Sequence, residues 1–539
     1  MEFSNLLKVA ALVLVAPCAV AQQAFPVPTP VEQILSGPAL DCLTPPLPTG
    51  EGERQWLDAL YAPGGYQPLW NRSSLQALVG QLDALADDGL EPRVYHLDAL
   101  RHLVAQPESA ERAQACQDVL ASTAYLQALH DLNGGRLAQA RVEPLWQPDD
   151  MPPAADFNAM LGMALAEVAR PERAFEQARP SLARYRDLRQ RYAALRREPL
   201  PQWLAIPDGP LLRPGAVDER VALLEQRLQV QGDLSQGVLA PTPLPSTVYG
   251  TALVEAVKLF QRNHLLKPDG VVGPGTLAEL NRTADERMDQ IRINLERLRW
   301  LAHEIQPTSV LIDIAGAEVF FLRDNRVAWQ ARTQVGRPSR ATPLLRSHIT
   351  HLTLNPTWTI PPTILREDKL PELSRDAAGY LAANRMRVID YEGNEVDPHS
   401  VDWQRPGRVL VRQDAGPGSA LGRVVVRFPN PFSVYLHDTP SQRLFDNLPR
   451  LFSSGCVRIE RVSELVDQLL ADASPAERER VASLWSSGET KRVNLPRPIP
   501  IVMAYWTVQM GGDGQLQFRP DIYGHDARLL KALNQANRI

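Results

Sequence analysis

Phe432-Ser433-Val434-Tyr435-Leu436-His437-Asp438-Thr439-Pro440, followed by Leu451-Phe452-Ser453-Ser454-Gly455-Cys456-Val457-Arg458, is the stretch around which the chain is organised. The first half is an apolar run of strand character that closes on a histidine. The second passes through a Ser-Ser-Gly turn to a cysteine nineteen residues beyond that histidine. Side chains two apart on a strand share a face, so Tyr435 and His437 point the same way. A thiolate is a strong nucleophile toward carbonyls, yet a free thiol of pKa ~8.5 is only a few per cent ionised at neutral pH. A neighbouring imidazole takes its proton and returns it to a leaving amine, help worth ~10²–10⁴ in rate. The amides of Gly455 and Cys456 are candidate donors to an oxyanion. The competing readings are a cysteine buried as a small hydrophobe and a structural histidine.

The rest of the composition narrows the choice. The chain has 539 residues, enough for three or four domains at roughly 150 each, and its formal net charge is −5. A dedicated nucleic-acid binder is usually basic, so that class is set aside. Residues 1–8 carry one lysine, residues 9–16 are apolar, and Ala19-Val20-Ala21 is a small-x-small site, the pattern of an export signal cleaved before Gln22. The apolar piece is shorter than the ~20 residues a membrane helix needs, and no later run is long enough to span. Of the four cysteines, Cys18 lies in the signal. Cys42, Cys116 and Cys456 remain, so in an oxidising compartment one thiol is left over. Pairing of Cys42 with Cys116 and three unpaired cysteines both remain open.

Outward from the His–Cys stretch, residues 22–52 are rich in proline, glycine and threonine and read as a disordered lead-in. Helical spacing follows to about residue 199: Leu75, Leu78, Leu82 and Leu85, a break at Asp87-Asp88-Gly89, then Leu120, Tyr125, Leu126 and Leu129. Residues 184–197 are rich in arginine and read as a solvated helix face. Val221, Leu224 and Leu228, then Ala256-Val257-Lys258-Leu259-Phe260-Gln261-Arg262 and Asp269-Gly270…Gly273-Pro274-Gly275-Thr276, make a second helical unit in which a glycine turn feeds a helix. Met288, Ile291, Leu295 and Leu298 mark one side of a connecting helix. Beyond Pro307 the period changes to that of strands, with a hairpin turn at Asp324-Asn325 and a polar, partly helical interruption at about 373–408. No Cys-x-x-Cys pair or His-Glu-x-x-His helix completes a metal set, and His348 and His351, three apart on a strand, face opposite ways. No metal is expected.

The second unit resembles the small three-helix peptidoglycan-binding module. Ser453-Ser454-Gly455-Cys456-Val457-Arg458 with His437 resembles the signature of the L,D-transpeptidases. Many members of that family have a second histidine before the glycine; Ser454 stands there, as in the larger YcbB-like branch. That branch also has Tyr-Leu-His-Asp-Thr-Pro, matched at residues 435–440, and its other hallmarks are matched at Val335-Gly336-Arg337-Pro338, Asn355-Pro356-Thr357-Trp358, Ile360-Pro361 and Ala504-Tyr505-Trp506-Thr507.

The resemblance implies an α+β multidomain chain: signal peptide 1–21, lead-in 22–52, helical scaffold domain 53–213, peptidoglycan-binding module 214–284, connecting helix 285–307, and a C-terminal helix 527–539. Between them, 308–526 is expected to be a catalytic domain built as an antiparallel β-sandwich, with a capping insertion at about 373–408. It implies that Cys456 attacks a diaminopimelate carbonyl of a stem tetrapeptide, that His437 is base and then acid, and that Gly455, Cys456 and Tyr435 stabilise the oxyanion. Ser453, Ser454 and Arg458 either order the loop or bind substrate; Trp358 either lines the donor groove or packs in a core. The expected product is a cross-link between two position-three residues. Hydrolysis, D-amino-acid exchange and a silent wall-binding scaffold are the alternatives. The implied partners are peptidoglycan stem peptides and glycan, with carbapenems as acylating inhibitors, no nucleic acid, no cofactor, and a periplasmic location without a membrane span after signal removal.

Overall fold

The computed structural model describes residues 28–37, 51–105, 110–151, 157–231, 247–512 and 514–536. The export signal, Cys18, Cys42 and nearly all of the proline-rich loop near 232–247 lie outside them.

The first unit is helical. Glu51–Tyr61, Arg72–Ala84, Leu97–Ala105 and Pro171–Ala178 pack around Glu111–Gly134. The middle of Glu111–Gly134 is buried on most sides, which suits a helix without a sharply polar face. Its Asp118 is buried but satisfied, accepting the Tyr61 hydroxyl at 2.5 Å and the amides of Leu69 and Trp70 at 3.0 and 2.9 Å. Cys116, on the same helix, is in a disulfide whose other half lies outside the described residues. Part of the expected lead-in is ordered: Pro30–Leu35 is a helix with Val31 and Ile34 in the scaffold core. Thr29 caps it, accepting the Glu32 amide, and Pro30 supplies the preset φ of a first helical position.

The arginine-rich helix Ala183–Arg197 is more engaged than a solvated face. Asp88, fully buried, accepts from Arg179, from Arg189 at 2.6 Å and from the Tyr185 hydroxyl at 3.0 Å, and Asp87 pairs with Arg196 and Arg197. The helix break at Asp87-Asp88 is thus the anchor for those arginines. The helices of the second unit are Arg220–Gln231, Thr251–Asn263 and Pro274–Asn281, closed on a core that includes Leu224, Phe260 and Leu280. The Gln261 side chain ties its glycine turn, donating to the Val271 carbonyl and accepting the Gly270 amide at 2.9 Å.

Ala284–Leu301 joins the units, started by a Thr283–Glu286 capping box. One apolar stripe was expected, but the polar side is buried too. Asn294 exchanges two hydrogen bonds with Thr507, and Arg297 pairs with Glu143 at 2.9 Å and Asp526 at 2.6 Å. The Ala504-Tyr505-Trp506-Thr507 run therefore grips this helix. Gly135 packs so close to it that a Cβ there would stand 2.5 Å from the Trp300 indole.

The β domain begins with β1 (Ser309–Asp313), β2 (Glu318–Arg323), β3 (Arg326–Gly336) and β4 (Leu345–Leu354). An insertion contributes β5 (Trp358–Thr359), β6 (Met386–Ile389), β7 (Glu395–Val396) and β8 (Leu410–Gln413). The main sheet then resumes with β9 (Val424–Arg427), β10 (Leu436–His437), β11 (Leu451–Ser453), β12 (Val457–Ile459) and β13 (Lys491–Ala504). The main sheet runs β11-β3-β12-β10-β9-β4-β13-β1-β2 and closes on itself because β2 also pairs with β3. It is mixed rather than antiparallel throughout: β1 with β13, β10 with β12, and β11 with β3 are parallel. Strand periodicity marks which residues face inward but not which strand lies alongside, so these pairs had no sequence signal. Val310, Leu352, Val426, Leu436 and Val457 fill the interior.

The insertion is larger than 373–408. It starts by Trp358, carries the helix Leu370–Ala383, and ends after Gln413, with its own sheet β5-β8-β6-β7 and a core of Ile360, Leu373, Leu381, Val388, Trp403 and Val411. The C-terminal helix, His525–Ala536, lies on Ala284–Leu301 and starts two residues before the expected position. Before the β domain, Trp146 bridges to Leu345 in β4: its amide donates to the Leu344 carbonyl, and the Arg346 amide donates to the Trp146 carbonyl at 2.8 Å.

Candidate active site

Strand register assembles the site. β10 and β12 run parallel with Leu436 beside Val457 and His437 beside Arg458. Leu436 and Val457 point into the core, so their neighbours Tyr435, His437, Cys456 and Arg458 share the other face. One step back along the ladder, Tyr435 lies beside Cys456, and the Val457 amide donates to the Tyr435 carbonyl at 3.1 Å. Cys456 and His437 are thus diagonal neighbours on one face. The Tyr435 and His437 rings meet edge to face, 5.6 Å between centroids.

Cys456 is a free thiol, half-buried, whose Sγ lies 3.9 Å from the Ser433 carbonyl. Burial pushes the thiol up. The Tyr435 amide and hydroxyl, Arg427 and Arg458 oppose it without cancelling it. His437 is 4% exposed, and burial, with Arg458 and Arg427 adding to it, pushes the imidazole down to about 3. It is therefore neutral at neutral pH. Its Nδ1 lies 2.6 Å from the Asp438 carbonyl. A carbonyl only accepts, so Nδ1 carries the proton and Nε2 keeps a free lone pair. The Asp438 carboxylate is turned away, accepting the amides of Arg423 and Thr439.

The turn before the cysteine is held from several sides. Gly455, at φ 110°, takes a backbone conformation that glycine adopts readily. Its amide donates to Ser453 Oγ at 3.1 Å, so it is not the open oxyanion donor expected; that leaves the Cys456 amide, which donates to no described residue. Ser453 Oγ in turn donates to the Cys456 carbonyl. Thr342 donates to the Gly455 carbonyl at 3.0 Å, and Arg340 donates to Ser454 Oγ at 2.9 Å while pairing with Glu367 and Asp368 of the insertion. Ser453 and Ser454 thus order the turn. Arg458 is held by Gln334 at 3.1 Å beside His437. Trp358 pairs with Gln413 in the insertion and packs, partly buried, on that unit's core. Arg340, Thr342 and Arg427 were missed. Thr342 and Arg340 lie only a few residues past the Val335–Pro338 hallmark, but the turn residues they hold, Gly455 and Ser454, are more than a hundred residues away.

Three parts of the chain match family models: residues 307–484 the L,D-transpeptidase catalytic domain, 217–280 a putative peptidoglycan binding domain, and 55–191 a scaffold domain. The chain carries an L,D-transpeptidase catalytic domain. A putative L,D-transpeptidase of Haemophilus influenzae is 33% identical over 243 residues, 44% of this chain and 48% of that protein, so the match spans about half the relative's length. An L,D-transpeptidase from Mycobacterium smegmatis aligns over 37% of this chain and 58% of its own at 15% identity, TM-score 0.18. One from Xylanimonas cellulosilytica aligns over 55% and 99% at 17% identity, TM-score 0.16. The transpeptidase domain contains every residue of the Cys456 face.

Proposed function

We propose that the protein is a peptidoglycan L,D-transpeptidase that links two position-three diaminopimelate residues through a cysteine thioester. The observation that supports this most is a free thiol on the same sheet face as a neutral imidazole whose Nε2 is unprotonated. In this reading Nε2 of His437 takes the thiol proton as Sγ of Cys456 attacks the diaminopimelate carbonyl of a donor tetrapeptide. The oxyanion is met by the Cys456 amide, with the Tyr435 hydroxyl beside it; losing one such donor typically costs ~10²–10³ in rate. The imidazolium returns its proton to the departing D-alanine amine, leaving a thioester. The side-chain amine of a second stem then attacks, His437 accepts its proton, an amide forms and the thiol is restored.

We further assign the protein to the YcbB-like branch and to the periplasm after signal cleavage. The order of scaffold, binding module and catalytic domain with insertion supports this. The binding module holds the chain on the wall, stem peptides are donor and acceptor, and carbapenems acylate Cys456.

The experiment is incubation of the purified chain with tetrapeptide-bearing sacculi and analysis of the muropeptides. Cross-linked dimers that vanish in Cys456→Ala are expected. Tripeptides without dimers would overturn the transferase assignment in favour of hydrolysis. No carbapenem adduct by intact mass, together with no turnover, would leave a binding scaffold.

A further inference from the structure

Cys456 and Tyr435 belong to a row that continues across the sheet. β9 pairs with β10 so that Leu436 faces Val426, which puts Arg427 beside Tyr435, and β4 places His351 beside Arg427. The Arg427 guanidinium carbon stands 4.5 Å from the centre of the Tyr435 ring. Stacking occupies one face of the guanidinium and leaves its N–H edge open, the edge that matches a carboxylate fork.

Of the other arginines around the site, Arg340 is paired with Glu367 and Asp368, while Arg458 donates only to the neutral Gln334 amide and keeps its buried Nε without a partner, on the side of His437 rather than of Tyr435. Arg427 is half-buried, and among the described residues no carboxylate lies within ion-pair distance of it and no hydrogen bond satisfies it. Its row contributes no compensating charge: His351 is kept neutral by burial with Arg492 and Arg427 beside it. The thiol face therefore presents a partly desolvated cation without a counter-ion, an arrangement that favours an anionic ligand.

We propose that Arg427 anchors the carboxylate that lies immediately beyond the scissile amide, and so selects donors that end one residue after the attacked carbonyl. This rests on the transpeptidase reading for the identity of the donor. In a tetrapeptide the D-alanine carboxylate is one carbon from the departing nitrogen. In a pentapeptide that position is an amide and offers no charge to Arg427. One cation then decides donor length.

The test has two arms on the full chain with Arg427→Gln and Arg427→Lys. The first uses alkylation alone: the rate of Cys456 with iodoacetate divided by its rate with iodoacetamide. The ratio is expected to fall about fivefold in Arg427→Gln and to be largely restored in Arg427→Lys. The second compares kcat/KM for a tetrapeptide donor with that for its C-terminal carboxamide. The wild-type preference for the free carboxylate is expected to shrink about tenfold in Arg427→Gln, as for loss of a charge-assisted hydrogen bond. Unchanged ratios in both arms, or ratios lost in Arg458→Gln and not in Arg427→Gln, overturn the assignment. A fallen alkylation ratio without turnover of any donor would keep the anion anchor, remove the donor-length role and count against the transpeptidase reading itself.

Discussion

Gly455 gives its amide to the Ser453 hydroxyl at 3.1 Å, and the same hydroxyl donates to the Cys456 carbonyl, so one side chain ties both ends of the turn that carries Cys456. Removing that hydroxyl leaves the buried Gly455 amide without its acceptor, a cost of ~1–3 kcal/mol. Ser453→Ala is expected to slow acylation of Cys456 by a carbapenem about 10–100-fold. Ser453→Thr, which keeps the acceptor, is expected to retain most of the rate. Stopped-flow acylation measures both.

The resting site is a thiol beside a neutral imidazole rather than a thiolate–imidazolium pair. The thiol is pushed up by burial, so its thiolate fraction at any given pH is below that of a free cysteine. The imidazole is held at about 3, so it is unprotonated at pH 5 and above and loses its capacity as base only as pH falls through that value. Alkylation of Cys456 by iodoacetamide is expected to rise continuously from pH 6 past pH 9, with no plateau on the acid side. A plateau between pH 5 and 7 would show an ion pair instead.

Glu143 joins the scaffold side to the connecting helix and the C-terminal helix through Arg297 and His525. Burial alone would push its carboxyl up, but Arg297 and His525 outweigh that and hold it at about 2, against an ordinary value of 4.5. The folded value is the lower one. Its stabilisation is therefore complete above about pH 4.5 and is lost as pH falls toward 2. Glu143→Gln leaves Arg297 without one of its two buried partners and is expected to cost ~3–5 kcal/mol. The loss of melting temperature between pH 5 and pH 3 is expected to be smaller in the variant than in the wild type. Calorimetry across that range checks both.

Arg340 ties the insertion to the turn, holding Glu367 and Asp368 with one hand and Ser454 with the other. Its carboxylate partners are partly exposed, and pairs of that kind contribute ~0–1 kcal/mol. Arg340→Ala is expected to change global stability by less than ~1 kcal/mol. Amide hydrogen exchange is expected to rise selectively over Leu365–Lys369 and at Ser454 and Gly455. Unchanged exchange there would mean that the insertion is held by its other contacts.

Cys456 and His437 were legible in sequence as candidates because both stand in short local patterns, and a period of two puts His437 with Tyr435. Helix breaks and apolar stripes located the helical units in the same way. What could not be read was whatever depends on a partner strand. Arg427 follows three valines and looks like the polar end of a buried strand; only the β9–β10 register brings it to Tyr435. The parallel neighbours of β3 and β10 were hidden for the same reason. The buried polar side of Ala284–Leu301 was hidden because Glu143, Thr507 and Asp526, which satisfy it, come from far along the chain. The Pro30–Leu35 helix has a sequence signal in its Thr-Pro start, masked by the prolines around it.

Trp146 lends its main chain to a stretch of β4 that would otherwise stand bare. A fragment trimmed to begin at residue 307 would leave the Leu344 carbonyl and the Arg346 amide to water and offer a short sticky rim to other copies. Anyone dissecting the protein would do better to begin the fragment before Glu143, keeping this tether in place.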